Sequence, residues 1–275
     1  MLVNLKDLLP EAAASDYAVP CFNVFGYEDA RAVVEAAEAV NKPVILACNK
    51  DVADFYGVET AAAMLLPLAK NSSVPVCLHL DHTYEEEIVF KALKAGFSSV
   101  MFDGSQLSLE ENIARTRAVA DVAHALGASV EGEIGSVPYD EGRDHIKSIY
   151  TEAEEAVRFA TESGADCVAV SVGNVHRLTE PTCTIDFGRL DKIASMVDIP
   201  LVIHGASGIR DEDMEELKRT RVSKFNIGTC LRQALGNNLR GFMNEEPEKF
   251  DRIYFMQKAM PFVKEEAIRN IKLLS

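Results

Sequence analysis

The 275-residue sequence has no CxxC pair, no long basic run and no apolar run of about 18 residues. Lys and Arg total 28 against 43 Asp and Glu, a net charge of −15, which argues against a nucleic-acid or anionic-membrane partner. Without a spanning run or an N-terminal signal pattern, a cytoplasmic location is expected. The widely spaced cysteines predict buried, reduced thiols in place of disulfides or a zinc knuckle: Cys21, Cys48, Cys77, Cys167, Cys183 and Cys230.

The sequence also lacks low-complexity segments, linkers and short repeats, so we expect one domain over residues 1–275. Short runs rich in β-branched residues alternate with longer amphipathic stretches. The predicted strands are Tyr17–Val24, Pro43–Cys48, Pro75–Leu80, Ser98–Phe102, Ala128–Ile134, Asp166–Val172, Pro200–His204 and Ser223–Ile227.

Helical spacing of apolar residues follows many of these strands. The predicted helices are Tyr27–Val40, Glu85–Ala95, Leu109–Leu126, Thr151–Ser163 and Asp211–Arg219, with a helical tail over Pro247–Ser275. Eight strand–helix units with right-handed crossovers favour an α/β fold, the (β/α)₈ TIM barrel, with a doubly wound open sheet as the alternative.

Polar residues recur where the predicted strands end, and barrel enzymes carry their chemistry at those ends. Random surface polarity would not place a polar residue there eight times. The residues are Asn23, Asn49, Asp81 with His82, Asp103 with Ser105, Glu131 with Glu133, His176, His204 and Asn226.

Three histidines stand at the ends of three strands: His82, His176 and His204. In a barrel they converge, and three imidazoles with a fourth position open suit a catalytic zinc ion. Taken singly, each is better explained as an unrelated polar residue of a loop. His79 is internal to its strand and is expected to be a hydrogen-bonded core histidine, while His124 lies in a helical pattern.

Two small-residue segments follow the seventh and eighth strands, His204–Gly208 ("HGASG") and Asn226–Thr229 ("NIGT"). Loops at these places in barrels commonly bind phosphate, because small residues let backbone N–H groups approach the anion. A glycine-rich turn alone is weak evidence, since it also serves as an ordinary strand-to-helix connection. Beside a candidate zinc ligand, it predicts a phosphorylated ligand.

Several motifs in order resemble the zinc-dependent class II fructose-bisphosphate and tagatose-bisphosphate aldolases. They include "FNVFGYEDARAVVEAAEAVNKPVIL", "VCLHLDH", "KALKAGFSSVMFDGSQLSLEENI", "ASVEGEIGSV", "VGNVHR", "PLVIHGASGI" and "KFNIGT". The resemblance covers nearly the whole chain. It implies a carbon–carbon lyase acting on phosphorylated sugars, and a homodimer or homotetramer.

Roles follow from the resemblance residue by residue. It implies Zn²⁺ held by the three histidines, with Glu133 near the metal, and Asp81 as the acid/base at the aldehyde-side hydroxyl. Glu141 matches the acid/base of the mobile loop, and Asn23 joins the substrate contacts. The dihydroxyacetone-phosphate cradle would comprise Gly205, Ala206, Ser207, Asn226, Ile227, Gly228 and Thr229.

Four departures from the family pattern bear on the substrate. Arg177 replaces the glycine after the second zinc histidine, and it could bind the first phosphate or a substrate carboxylate. Pro138 and Tyr139 replace paired glycines, Gly228 replaces a polar residue, and Glu248 stands where an Arg usually meets the distal phosphate. A carboxylate would repel that phosphate, so we expect an aldehyde product without a terminal phosphate.

Three alternatives stay open. A plain fructose- or tagatose-1,6-bisphosphate aldolase would need Lys249 or Arg252 to bind the second phosphate. A different zinc barrel enzyme such as a hydrolase would not need the phosphate cradle. A non-catalytic partner of an active aldolase would be expected to lose ligands, yet the three histidines and Asp81 are present.

Overall fold

The computed structural model describes residues 1–140 and 148–275. The strands are β1 Leu2–Val3, β2 Val19–Asn23, β3 Val44–Cys48, β4 Val76–Thr83, β5 Ser99–Phe102, β6 Ser129–Ile134, β7 Cys167–Val170, β8 Leu201–Ile203 and β9 Val222–Ile227. The helices are α1 Leu5–Ala13, α2 Tyr27–Val40, α3 Lys50–Tyr56, α4 Val58–Asn71, α5 Glu86–Ala95, α6 Leu109–Ala125, α7 Ala153–Glu162, α8 Phe187–Met196, α9 Asp211–Leu217, α10 Thr229–Glu245 and α11 Arg252–Leu274. A 3₁₀ turn covers Ala206–Gly208.

Strands β2 to β9 form a closed parallel barrel. They pair in the order β4-β3-β2-β9-β8-β7-β6-β5, and β5 pairs with β4 to close the ring. The short β1 pairs with the first residues of β4. Helices between successive strands provide the crossovers that parallel pairing requires. The predicted (β/α)₈ barrel is therefore confirmed, and the open-sheet alternative is wrong.

Alternate residues of each strand face the barrel interior and the surrounding helices. On β4, Cys77 belongs to an interior apolar cluster, while Leu78 and Leu80 pack with the helices. Helix α1 inserts Leu5 and Leu9 into the same interior cluster. This apolar filling occupies one end of the barrel, and the polar side chains that line the cavity lie at the opposite end, where the strands end.

The third predicted strand extends further than its apolar pattern indicates, since β4 continues through Asp81 and His82 to Thr83. Its register with β5 passes from Leu80↔Val100 to Thr83↔Phe102, so β4 contains one extra residue. His82 has φ 38°, outside the extended region. A bulge of this kind redirects a side chain, which lets consecutive Asp81 and His82 both reach the barrel mouth.

The predicted helices Tyr27–Val40 and Leu109–Leu126 match α2 and α6 to within one residue, and α11 confirms the helical tail. The sequence patterns missed α1, α3, α4, α8 and α10. The six cysteines are free, and five are buried, as expected. Among the described residues no single helix is long and apolar enough to cross a membrane. The α3–α4 pair has the length and composition for a crossing, but the two helices are bent by 107° relative to each other.

Candidate active site

A cavity opens at the end of the barrel where the strands terminate. It collects candidate residues from strands and loops that lie far apart in the chain. The predicted site residues that line it are Asn23, Asp81, His82, His176, Arg177, Gly205, Ser207, Asn226, Gly228 and Thr229. Four lining residues were not predicted as site residues: Phe25, Asn49, Tyr139 and Arg232.

The three predicted zinc histidines form one cluster, and two of them, His82 and His176, line this cavity. The ring centre of His82 lies 4.7 Å from that of His176 and 4.5 Å from that of His204. One nitrogen from each ring can be chosen so that all three lie within 4.8 Å of one another. The convergence expected from three strand ends is therefore present.

Carboxylates orient two of these rings from behind. His82 Nδ1 lies 2.9 Å from Asp103 Oδ2, and His204 Nε2 lies 2.8 Å from Glu131 Oε1. An ionised carboxylate only accepts hydrogen bonds, so each of these nitrogens is the donor. The lone pairs of the two neutral rings then sit on His82 Nε2 and His204 Nδ1, the arrangement typical of metal-binding histidines.

The arrangement fits a metal ion. His82 Nε2 and His204 Nδ1 face each other at 2.7 Å, and two lone pairs at that distance need a proton or a cation between them. Burial would lower the pKa of His82, but Asp81, Asp103 and Glu133 outweigh it and raise that pKa to about 9. His176 Nε2 is also buried, and no described residue hydrogen-bonds to it.

Glu133 lies beside the histidines. Its Oε2 atom is 3.9 Å from both His82 Nδ1 and His204 Nδ1 and has no hydrogen-bond partner among the described residues, while its Oε1 accepts from the Val137 N–H. Burial, with Asp103 adding to it, raises the pKa of Glu133 well above its usual value. His82, Asp103 and Glu133 could also hold a cation, so a metal in this region would have carboxylate ligands within reach.

Asp81 is held by two asparagine amides. Asn23 Nδ2 donates to its Oδ2 at 2.7 Å, and Asn226 Nδ2 donates to its Oδ1 at 3.0 Å. Burial alone would raise the pKa of Asp81, but nearby positive groups, with His82 first among them, hold it below its usual value. A buried carboxylate kept ionised and oriented in this way can accept a proton from a bound molecule.

A buried lysine, Lys224, contacts Asn226, and none of the sequence motifs assigned it a role. Lys224 Nζ lies 2.5 Å from Asn226 Oδ1 and 2.8 Å from Glu131 Oε2, and both charged side chains are fully buried. His79 Nδ1 lies 2.8 Å from Ser99 Oγ, which confirms the expected core histidine. For Lys224, the available sequence signal was a lysine inside the otherwise buried run "VSKFNI".

The two predicted phosphate loops lie side by side. Gly205 has φ 70°, and a Cβ there would lie 2.3 Å from Val175 O, so only glycine fits. The Cys230 N–H donates to Ser207 Oγ at 3.4 Å, which joins the loop after β8 to the start of α10. The side chains of Ala206 and Ile227 instead pack in the apolar core, so only their backbone groups remain for a ligand.

Arg177 and Tyr139, two of the four departures, contact each other at the cavity. Tyr139 stacks on His176 with ring centres 4.4 Å apart, and the Arg177 guanidinium lies 5.5 Å from the Tyr139 ring centre. Arg177 has φ 65°, a backbone conformation that favours glycine and costs other residues about 1 kcal/mol. Its side chain pairs with Asp51 at 2.9 Å.

Arg232 is the cationic lining residue that the sequence analysis missed. It donates to Thr229 Oγ1 at 3.2 Å, and its guanidinium lies 5.3 Å from the Phe25 ring centre. Burial and the nearby Arg177 charge lower its pKa. Within residues 1–140 and 148–275, no ion pair to Arg232 is found. Its i+3 spacing from Thr229 could have indicated a shared helix face.

Glu248, the residue predicted to repel a distal phosphate, stands apart from the cavity. Glu141 lies outside the described residues, so its placement stays a prediction. Glu248 is exposed and does not line the cavity, and therefore the repulsion of a distal phosphate by this carboxylate is not supported. Lys249 and Arg252 contact Tyr254 and Glu28 and do not line the cavity either.

Comparisons with known proteins agree with this geometry. The family model "Fructose-bisphosphate aldolase class-II" matches residues 3–275. The YdjI aldolase of Escherichia coli K12 is similar with 31% identity and a TM-score of 0.86, covering 100% of this chain and 98% of that one. The fructose-bisphosphate aldolase of Campylobacter jejuni shows 25% identity and a TM-score of 0.85, with coverage of 99% and 95%.

The family match spans nearly the whole length, an oriented aspartate and residues of two small-residue loops line one cavity, and three histidines converge beside it. The chain is therefore a carbon–carbon lyase, and it belongs to the class II fructose-bisphosphate aldolase family.

Proposed function

We propose that this chain is a zinc-dependent aldolase that reversibly cleaves a phosphorylated ketose into dihydroxyacetone phosphate and an aldehyde without a terminal phosphate. The observation that carries the metal dependence is the pair of facing nitrogens, His82 Nε2 and His204 Nδ1, each fixed from behind by a carboxylate. His176 Nε2, buried and without a hydrogen-bond partner in the described chain, is the proposed third nitrogen of the group.

The metal site would be formed by His82, His176 and His204, with Glu133 able to approach in some states. A zinc ion held there supplies Lewis-acid polarisation of the substrate ketone. The described chain also presents only neutral histidine and carboxylate ligands at the cluster, which is the donor set zinc takes in catalytic sites.

Asp81 is the proposed proton acceptor in the cleavage direction. It takes the proton of the C4 hydroxyl, the C4–O bond becomes the aldehyde carbonyl, and the C3–C4 electron pair passes to the ketone half. Protonation at C3 then gives dihydroxyacetone phosphate, the step for which the family resemblance implies Glu141. Asn23 and Asn226 hold both Asp81 oxygens, so the carboxylate needs little reorganisation.

The substrate phosphate is proposed to lie between the two small-residue loops. Gly205, Ala206, Ile227 and Gly228 would contribute backbone N–H groups, while Ser207, Thr229 and Asn226 would contribute side-chain donors. All these donors are neutral, and a phosphate dianion also needs a cation. Arg232 touches Thr229 and has no acidic partner in the described chain, whereas Arg177 already pairs with Asp51. Arg232 is therefore the better-supported phosphate partner.

Arg232→Gln tests this contact. We expect the KM for dihydroxyacetone phosphate in the condensation reaction to rise about tenfold to a hundredfold, since a charged hydrogen bond contributes about 1.5–3 kcal/mol. The KM for unphosphorylated dihydroxyacetone should hardly change. Arg240→Gln is the matched control, because Arg240 lies exposed on the same helix and contacts Asn237. An equal rise in KM for both ketones would show that Arg232 does not contact the phosphate.

Substrate choice is tested by steady-state cleavage of fructose 1,6-bisphosphate, tagatose 1,6-bisphosphate and matched ketose 1-phosphates, including ketose-like sugar acids. We expect the highest kcat/KM with a ketose 1-phosphate, because the tail residues Lys249 and Arg252 do not line the cavity. Arg177, strained and paired with Asp51, is the proposed contact for a carboxylate on the substrate. A bisphosphate that exceeds every monophosphate establishes the plain bisphosphate aldolase instead.

Other features of the function stay predictions. We propose that residues 1–275 act as one barrel domain, that the enzyme is a homodimer or homotetramer, and that it works in the cytoplasm. Zinc-barrel hydrolysis and a non-catalytic partner role are disfavoured by the preserved cradle, histidines and Asp81.

A further inference from the structure

Lys224 lies inside the barrel, two residues before Asn226 on β9. Its side chain and that of Glu131 on β6 are both fully buried. Lys224 Nζ lies 2.8 Å from Glu131 Oε2 and 2.5 Å from Asn226 Oδ1. Burying two charges is costly unless they are paired and hydrogen-bonded, and this pair meets both conditions. The proposed reaction gives Lys224 no direct part, since it does not line the cavity.

The two contacts of Lys224 lead to different parts of the candidate active site. Asn226, which accepts from Lys224, donates through Nδ2 to Asp81 Oδ1 at 3.0 Å. Glu131 accepts from Lys224 with one oxygen and lies 2.8 Å from His204 Nε2 with the other. One buried cation thus connects the proposed proton acceptor and a proposed metal ligand through one intermediate residue each.

Hydrogen-bond chemistry explains why this position needs a cation. An asparagine amide can turn either its oxygen or its nitrogen towards Asp81, and only the nitrogen can donate to a carboxylate. An ammonium group has donors and no acceptor, so Lys224 can bond only to Asn226 Oδ1. Asn226 Nδ2 then faces Asp81 and donates to it. Lys224 also offsets the Glu131 charge that fixes the His204 tautomer.

We propose that Lys224 is a positioning residue that fixes the Asn226 amide and the Glu131 carboxylate in the orientations required by Asp81 and His204. This inference rests on the proposed aldolase function. Burial alone would lower the pKa of Lys224, but the neighbouring acidic groups outweigh it and keep the lysine charged. Lys224 makes no contact with the substrate in this role.

The simplest alternative is that Lys224 only balances the buried Glu131 charge. Lys224→Met leaves that charge unpaired and therefore risks misfolding. The double variant Lys224→Met/Glu131→Gln removes both charges, and the oxygen of the new glutamine amide can still accept from His204. If charge balance were the whole role, the double variant would recover both stability and activity. If Lys224 positions Asn226, the double variant regains stability but stays slow.

The experiment compares wild type, Lys224→Met, the double variant and Lys218→Met in their zinc-loaded forms. Lys218 is a matched control, because it is also buried and bonds to backbone carbonyls near the chain end, remote from the cavity. For the double variant we expect kcat to fall about tenfold to a hundredfold with KM within about threefold. Its zinc dissociation constant, measured by chelator competition, should rise about tenfold to a hundredfold. Lys218→Met should lose only thermal stability.

A folded double variant with wild-type kcat and zinc affinity would overturn the proposal. So would a rise in KM with unchanged kcat, since that indicates lost substrate binding. The outcomes also separate this inference from the proposed function. A wild-type protein without aldol cleavage of any phosphorylated ketose contradicts the proposed function, while chelator competition still reports whether Lys224 supports the histidine cluster.

Discussion

We expect His82→Ala to abolish aldol cleavage and zinc retention together. His82 provides one of the two facing nitrogens, and its other nitrogen is held by Asp103. A catalytic zinc ion has three protein ligands, so removing one leaves an incomplete site. Elemental analysis after dialysis, together with a cleavage assay, checks this result. We expect zinc content to fall about tenfold or more below wild type, with no measurable turnover.

His124→Ala serves as the control for this loss. His124 lies on α6, where its Nε2 atom is 2.9 Å from Asp166 Oδ2, away from the cavity. The His124→Ala variant should retain the zinc content and the turnover of wild type. If active wild-type enzyme contains no transition metal, or if His82→Ala keeps full zinc content and activity, the histidine cluster is not the metal site.

Asp81→Ala is expected to lower kcat about 10²- to 10⁴-fold while the metal stays bound, the range for removing a general acid/base. The carboxylate contacts Asn23 and Asn226, and no metal-ligand histidine depends on it for its hydrogen bond. Asp81→Asn should be similarly slow, because an amide of the same size cannot accept the hydroxyl proton. Single-turnover cleavage and elemental analysis separate the chemical step from metal loss.

Asp54→Ala is the matched control for this variant. Asp54 is an exposed carboxylate that pairs with Lys50 one helical turn away, so its removal should leave kcat unchanged. Turnover of Asp81→Ala close to that of wild type would rule out proton transfer by Asp81. Loss of zinc from Asp81→Ala would instead show that the aspartate supports the metal site.

The barrel could be predicted because each strand is a short apolar run and the patterns between strands are helical. Val44–Cys48 and Tyr27–Val40 were placed to within one residue for this reason. The missed helices have weaker local signals. In α3 and α4, the chain bends by 107° around Gly57, whose φ is 78°, so the apolar pattern does not continue in phase.

The candidate site was predicted less completely. The histidines, Asp81 and the two small-residue loops fell at strand ends, where a barrel brings them together. Arg232 was missed because it lies within a helix whose orientation toward the cavity depends on packing. Asp103 and Glu131 were identified only as polar strand-end residues, since the ring nitrogen that a carboxylate contacts is set by three-dimensional distances.

The sequence by itself determined the strand–helix alternation, which favours a barrel, and the set of polar residues at the strand ends, because period, length and strand-end position are local properties. Closure of the barrel by pairing of β5 with β4 was decided by the tertiary structure. Only the tertiary structure decided that Asp81 and His82 face the same cavity, since this depends on one extra residue in β4. It also decided that Lys224 bridges Asn226 and Glu131. The ion pair between Lys224 and Glu131 joins residues distant in sequence, and burial makes each of these charges depend on a partner that no local pattern specifies.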